Sequence, residues 1–400
     1  MAQFNFVEKF LEITSTIESP TSYLTWAAYV TIGATLRSNV YIDFPRRKSK
    51  ITPNLYVLLV GDSGATRKST PLKITNYLLK AINNTKLIEG RASIQAVLKE
   101  LAEIRRTDKT MLEGASGLMY AEEFAAMLVK DPATGGLLTD LYDYHDTYDS
   151  LLKGEGSVKL TKVAFSILSA TNAAFLQDMF TKTDIYGGLV GRTIFVIEEK
   201  ARLKNLGLGD TAVEEEWEQL LEHLTYLARI EGPVRFTQAA EHRFNHWYDN
   251  ADFSINESKT GFEHRMHTHA LKLSLILAAA DSNFNLMIHE HHCIQAINII
   301  TELRPTYHKL VTKATFDLNS VRQAIKDITG ILLATPNASF TRASILQKLH
   351  GNIDAECFDK AIATLDQSGF VIMNGINIPE YKLSPKGREM IMGELNGRGH

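Results

Sequence analysis

The 400-residue chain is 44% hydrophobic and 22% charged, globular values that exclude collagen-like, coiled-coil, low-complexity and disordered organisation for its bulk. At about 150 residues per domain the length suits two to three domains. Lys and Arg number 43 against 46 Asp and Glu, a formal charge of −3, so contact with nucleic acid has to come from a local basic patch. Two distant cysteines, Cys293 and Cys357, fit a reducing interior, and the expected setting is the cytoplasm of a bacterial or other host cell. Apolar runs such as 271–280 fall short of the roughly 18 residues that span a bilayer, so a soluble protein without a membrane partner is expected.

In chain order, residues 1–40 carry apolar positions at helical spacing, interrupted at Ser19-Pro20. A short β-like run at 39–44 and the basic loop Arg46-Arg47-Lys48-Ser49-Lys50 follow. Residues 55–60, Leu-Tyr-Val-Leu-Leu-Val, have the continuous apolarity of a strand buried on both faces. Beyond it, helices are expected near 71–82, 93–106 and up to about 152, with strands at 117–121, 163–170 and 192–197 and a helix at 173–180. Strands alternating with helical crossovers predict a mostly parallel sheet covered on both faces. From 211 to about 314 the pattern reads as helices only, a second domain or lid. From about 319, three helices and a hairpin with an Asn374-Gly375 turn resemble a winged helix-turn-helix.

The buried strand runs through Gly61-Asp62-Ser63-Gly64-Ala65-Thr66-Arg67-Lys68-Ser69-Thr70 into a helix, the context a phosphate-binding loop requires. Backbone N–H groups and the helix N-terminus would meet phosphate oxygens, Lys68 would reach the β and γ phosphates, and the Ser69 hydroxyl would hold Mg²⁺. The spacing departs from G-x-x-x-x-G-K-[ST]: five residues separate Gly61 from Arg67, which stands where the second glycine belongs. A glycine-rich surface turn is the alternative.

Downstream, residues 117–121 end in Glu122-Glu123. Glu122 would support Mg²⁺ and Glu123 would polarise the attacking water, although paired acids at a strand end can simply be solvated. Thr171-Asn172 closes the next strand, with Asn172 placed to sense the γ-phosphate or else to cap a helix. Arg192, after Gly187-Gly188 and Gly191, is the candidate arginine for a neighbouring subunit's γ-phosphate, against an ordinary surface arginine.

With these elements in this order the chain resembles an AAA+ P-loop ATPase, and more closely a family found in primase-helicase proteins of phages, plasmids and other mobile elements. The residues that carry the resemblance are Pro53-Asn54-Leu55-Tyr56, Ser63-Gly64, Arg67-Lys68-Ser69-Thr70, Glu122-Glu123-Phe124, Gly188-Leu189 with Arg192, and His269-Ala270-Leu271-Lys272-Leu273. Arg265 and the segments 269–273 and 288–290 also resemble the lid of minichromosome-maintenance helicases. That likeness implies that Arg265 contacts a nucleotide in an adjacent subunit and that a winged helix follows. Glu122 stands where the family often has Asp.

The resemblance implies an α/β fold: an N-terminal helical segment (1–50), an AAA+ parallel-sheet core (51–205), a helical lid (206–318) and a winged helix (319–400). It further implies an ATP- and Mg²⁺-dependent DNA helicase or translocase of a phage or mobile element, acting in replication. The expected form is a homo-oligomeric ring, a hexamer, on single-stranded DNA beside a separately encoded primase or polymerase. A nucleotide-controlled loader without processive unwinding and a degenerate ATPase scaffold are the alternatives. The histidines at 264, 267, 269, 289, 291 and 292 show no zinc-site spacing. The basic loop at 46–50 is read as solvated or phosphate-facing, and the mixed charges of 319–400 leave the winged helix open to DNA contact or protein docking.

Overall fold

The computed structural model describes residues 4–90, 93–106, 111–112, 114–124, 133–152, 156–172, 188–202, 214–251, 253, 261–335, 338–349, 355–375 and 379–389. It separates into two compact units, Met1–His308 and Lys309–His400. The expected segments 1–50, 51–205 and most of 206–318 thus belong to one unit. The helix expected at 173–180 and Gly187 lie outside the described residues.

The first unit begins with α1 (Phe6–Ile13), whose N-terminus is capped by Asn5 Oδ1 accepting from the Val7 and Glu8 amides at 3.0 and 3.2 Å. Next come α2 (Thr21–Leu36), β1 (Val40–Phe44), a 3₁₀ turn (Pro45–Arg47), β2 (Ser49–Ile51), β3 (Tyr56–Val60), α3 (Ser69–Ile82), β4 (Lys86–Glu89) and α4 (Ile94–Ala102). They are followed by β5 (Arg105–Arg106), β6 (Met111–Leu112), β7 (Ser116–Ala121), α5 (Ala133–Tyr142), β8 (Thr147–Leu152), β9 (Gly156–Thr161), β10 (Ala164–Thr171), α6 (Leu189–Arg192) and β11 (Thr193–Ile197). The unit continues with α7 (Glu214–Leu227), β12 (Gly232–Phe236), α8 (Gln238–Asn250), α9 (Met266–Ala280), β13 (Met287–Ile288) and α10 (Glu290–Glu302), and α11 (Arg304–Ala334) follows.

The main sheet is parallel throughout, in the order β11-β3-β10-β7-β4. Every residue of β3 and β10 is buried; β3 is accordingly apolar along its length instead of alternating, whereas β10 also buries Ser166, Ser169 and Thr171. Helix α2 is buried around nearly its whole circumference and packs against β10 and α3. It belongs to the core, although its place in the sequence suggests a lead-in.

Two expectations are corrected. The segment 206–318 is not all helical: β12 and β13 join β1 and β2 in a second sheet, order β13-β12-β1-β2, with β12 parallel to β1. Gly232 and Pro233 give β12 the composition of a turn, and pairing with β1 on one side and β13 on the other makes it a strand. The helix expected to run to 152 gives way to the β8–β9 hairpin, paired from Thr147–Thr161 to Leu152–Gly156. Gly154 and Gly156, flanking Glu155, were the available turn signal.

In the second unit α11 is followed by β14 (Phe340–Thr341), α12 (Arg342–Lys348), α13 (Ala355–Gln367), β15 (Val371–Asn374) and β16 (Glu380–Leu383). The strands form an antiparallel sheet, order β14-β16-β15, over a core including Ile328, Leu332, Ile345, Phe358, Leu365, Val371 and Leu383. Among the described residues no helix is long and apolar enough to cross a membrane.

Candidate active site

Ligands of open parallel sheets bind beyond the carboxyl ends of the strands. Here the loop 61–68 leaves the carboxyl end of β3 and Ser69 opens α3. A Cβ on Gly61 would lie 2.6 Å from Thr66 Oγ1, 2.7 Å from the Glu198 carbonyl and 2.8 Å from Tyr23 Oη, so only glycine fits. Ser63 and Gly64 form the exposed crest, with Gly64 left-handed at φ 74°. Arg67, where the sequence pattern calls for glycine, is itself left-handed at φ 51°. The longer loop keeps the left-handed residue before the lysine and fills it with a side chain that disfavours it.

Three contacts hold Arg67 there. Its Nε donates to Glu18 Oε2 at 2.5 Å, its Nη1 to the Gly64 carbonyl at 3.3 Å, and its own carbonyl accepts from Ser19 Oγ at 2.8 Å. Arg202 anchors that segment in turn, donating from Nη2 to the carbonyls of Thr14, Ser15 and Ile17 at 3.0, 2.6 and 2.8 Å. Sequence reasoning missed Glu18, Ser19 and Arg202, because no local pattern marks a brace drawn from 50 and 135 residues away.

Lys68 Nζ donates to the carbonyls of Gly61 and of Asp62, the latter at 3.0 Å. Partial burial lowers its pKa, and Asp62 opposes that shift. The ammonium is therefore folded onto its own loop. Ser69 and Thr70, both half-buried, begin the helix at this end of the sheet, where the Thr70 amide donates to the Arg67 carbonyl at 3.3 Å and Pro71 has no N–H.

The acids lie at the same edge. Ala121 is level with Ser169 and Val60 with Thr171, so Glu122 and Glu123 extend β7 toward the height at which β3 ends. β10 separates β7 from β3, which sets the acids about 10 Å from the loop strand at the usual strand spacing. The exposed acid pair is fixed on both sides: Ser169 Oγ donates to the Ala121 carbonyl, and the Phe124 amide to the Ala170 carbonyl at 3.1 Å. Between loop and acids stand Asn172, half-buried, and Thr171, 2% exposed. Thr171 Oγ1 is buried with no hydrogen-bond partner among the described residues. A buried orphan hydroxyl is costly. The donor set suits a nucleotide triphosphate with Mg²⁺ held from Ser69 and, through water, Glu122.

Arg192 and Arg265 are at the opposite edge. Arg192 precedes β11 at its amino end, 7% exposed, and its Nη2 donates to Asp143 Oδ2 at 2.9 Å. Its Nη1 donates to the Gly188 carbonyl at 3.2 Å. Arg265 approaches the same cluster; burial first and Arg192 second lower its pKa. The structure thus brings Arg192 and Arg265 together with Asp143 and places them at the opposite end of the sheet from the loop 61–68.

A buried polar network underlies the arginines. Lys272, 3% exposed on α9, donates to the Asn54 carbonyl at 3.1 Å and to Asn54 Oδ1 at 2.7 Å, and its Nζ lies 4.2 Å from the centre of the Tyr142 ring. Asn54 Nδ2 donates to the carbonyls of Tyr142 and Phe165, both at 2.9 Å. His269 bonds the Tyr142 hydroxyl at 3.2 Å and the Gly191 carbonyl at 2.9 Å. Burial brings Lys272 down to about 7, with Asp143 opposing, and His269 down to about 3. The sequence signal for this network was a lysine inside the apolar run 269–277, with Asn54 before the buried strand.

Asp281, His291 and His292 present ligand atoms within 4.8 Å of one another. His292 Nδ1, however, accepts from the His289 amide at 3.1 Å, so its proton resides on Nε2, which donates to Asp281 Oδ2 at 2.9 Å. That tautomer has no lone pair on Nε2 for a metal. The cluster caps α10 and ties it to Asn5, whose Nδ2 donates to Asp281 Oδ1 at 2.9 Å.

Comparison with protein-family models and with curated proteins gave no match.

Proposed function

We propose that this chain is an ATP-hydrolysing motor of the AAA+ type that acts on single-stranded DNA as a homo-oligomer, a hexameric ring, in replication of a phage or mobile element. The observation that carries the reading is the convergence of Lys68-Ser69, Glu122-Glu123 and Thr171-Asn172 at the carboxyl ends of β3, β7 and β10. Lys68 would neutralise the β and γ phosphates, and Ser69 with Glu122 would hold Mg²⁺, which supplies charge neutralisation. Glu123 would polarise the attacking water, and Asn172 with Thr171 would orient it.

Arg192 and Arg265, at the other edge of the sheet, are suited to a neighbour's nucleotide and not to their own, which supports assembly. Their burial also supports the second reading, an ATP-controlled loader or switch: Arg192 is held by Asp143 and has to be released before it can serve a partner. Lys68 at the start of α3 supports an active loop over the scaffold reading.

In the second unit, helix, helix, helix and hairpin support a winged helix. The exposed face of α13 carries Asp359 and Asp366 against Lys360, and Asp359 engages Arg342 at 2.9 Å, which favours protein docking over DNA reading by that helix.

The test is ATP hydrolysis with and without single-stranded DNA, for the wild type, Lys68→Ala and Arg192→Ala, over a range of protein concentrations. Hydrolysis that DNA stimulates, that rises faster than linearly with concentration and that both substitutions abolish is expected. Hydrolysis by the wild type without DNA stimulation favours the switch, and no hydrolysis under any condition overturns the motor.

A further inference from the structure

A cleft of about 570 Å³ opens between the second sheet and helices α8 and α9, within the size range of ligand sites. It lies away from the phosphate loop. Its walls bring together Phe44 of β1, Arg47 of the 3₁₀ turn, Arg235 of β12, Asn245 and Tyr248 of α8, and His267 of α9.

Two features distinguish it from a packing defect. Tyr248 leaves 43% of its surface exposed while its ring meets His267 at 5.2 Å and Phe253 at 5.5 Å, a half-open aromatic shelf. Burial, with Arg265 and Arg47, lowers the pKa of His267, which makes that ring a neutral stacking surface near pH 7. The second feature is a run of exposed cations without a carboxylate partner, of which Arg47 lies over the Phe44 ring at 5.7 Å. Arg46, Arg47 and Lys48 are exposed, as is Arg235, and among the described residues no carboxylate pairs with any of them. Lys50, next in the loop, is different: it engages Asp146 at 3.3 Å and lies over the Tyr41 and Tyr144 rings at 4.9 and 5.0 Å.

Exposed aromatic faces beside a track of cations without carboxylate partners are what unpaired bases and their phosphates require. The cations continue past the cleft along the turn, which suits a polymer with a repeating charge better than a free nucleotide. Asp43 and Glu241 also line the cleft, where they can accept from exocyclic amines of a base but oppose a phosphate, so the phosphates belong on the Arg46–Lys48 side.

We propose that this cleft binds single-stranded nucleic acid, a base lying against Tyr248 and His267 and the adjoining phosphates on Arg46, Arg47 and Lys48. The inference rests on the reading of the chain as a DNA-dependent ATPase and adds the surface that holds the strand.

Fluorescence anisotropy of a labelled oligothymidylate tests it on the full chain. Tyr248→Ala weakens binding about 5- to 100-fold, the effect of losing one stacked base. Tyr248→Phe retains it, which shows that the shelf and not the fold is at issue. Arg46→Ala with Arg47→Ala reduces the slope of log affinity against log salt by about 0.7 to 1.4. Wild-type binding that Tyr248→Ala and the arginine pair leave unaltered overturns the cleft while sparing the motor. Duplex DNA that binds as tightly and with the same sensitivity to these changes overturns its preference for single strands. Failure of the wild type to bind any single strand overturns both readings, whereas strand binding through the cleft without stimulation of ATP hydrolysis overturns only the motor.

Discussion

Arg192 Nη2 donates to Asp143 Oδ2 at 2.9 Å, and the arginine is 7% exposed while the aspartate side chain is about half exposed. The pair joins the start of β11 to the segment after α5, and its asymmetry sets the cost of breaking it. Removing the carboxylate leaves a buried guanidinium with one partner fewer, whereas removing the guanidinium leaves a carboxylate that water can reach. Asp143→Ala is therefore expected to destabilise the protein by about 1–3 kcal/mol, and Arg192→Met by less. Urea unfolding of both variants checks the order, and a larger loss for Arg192→Met contradicts this account.

If Arg192 completes a neighbour's site, two inactive variants complement each other. Lys68→Ala lacks the lysine but carries the arginine, and Arg192→Ala the reverse. Mixed in equal amounts before assembly, they create complete interfaces at about a quarter of positions, and ATP hydrolysis should recover in proportion. No recovery under conditions that exchange subunits places the arginine's action within its own chain.

Arg67→Gly should be tolerated. The left-handed backbone at φ 51° disfavours arginine by about 1 kcal/mol. The ion pair to Glu18 that would be lost is partly exposed and worth at most about 1 kcal/mol. These effects nearly offset each other, so the expected change in stability is within about 1 kcal/mol and hydrolysis persists. Thermal unfolding and an ATPase assay measure the two; loss of hydrolysis with intact folding would give the Arg67 side chain a direct role.

Stability should rise with pH through two windows. The folded chain holds Lys272 near 7 against an ordinary 10.5, so between those values the unfolded chain binds more protons and raising the pH favours folding. His269, near 3 against an ordinary 6.5, contributes stability fully present above pH 6.5 and lost as the pH falls toward 3. Lys272→Met should flatten the dependence between pH 7 and 9 and leave the acid limb intact. Denaturation midpoints across pH 4–9 report both, and an unchanged alkaline slope in Lys272→Met removes Lys272 as its source.

The sequence by itself determined the local elements whose signals are carried by neighbours in the chain. Continuous apolarity marked β3 as a strand buried on both faces, and Gly61, Lys68 and Ser69 placed a phosphate-loop pattern between a strand and a helix. Asn374-Gly375 likewise marked the hairpin of the second unit. Only the tertiary structure decided the features that depend on partners distant in sequence. The Gly-Pro start of β12 argues for a turn, and it becomes a strand through pairing with β1 about 190 residues away and with β13 about 50 away. Glu18, Ser19 and Arg202 brace Arg67 from elsewhere in the chain, Asp143 holds Arg192, and Lys272 is buried against Asn54 over 218 positions. Propensity and periodicity are properties of a window of residues, whereas burial, charge pairing and a lowered pKa arise only when folding brings separate windows together.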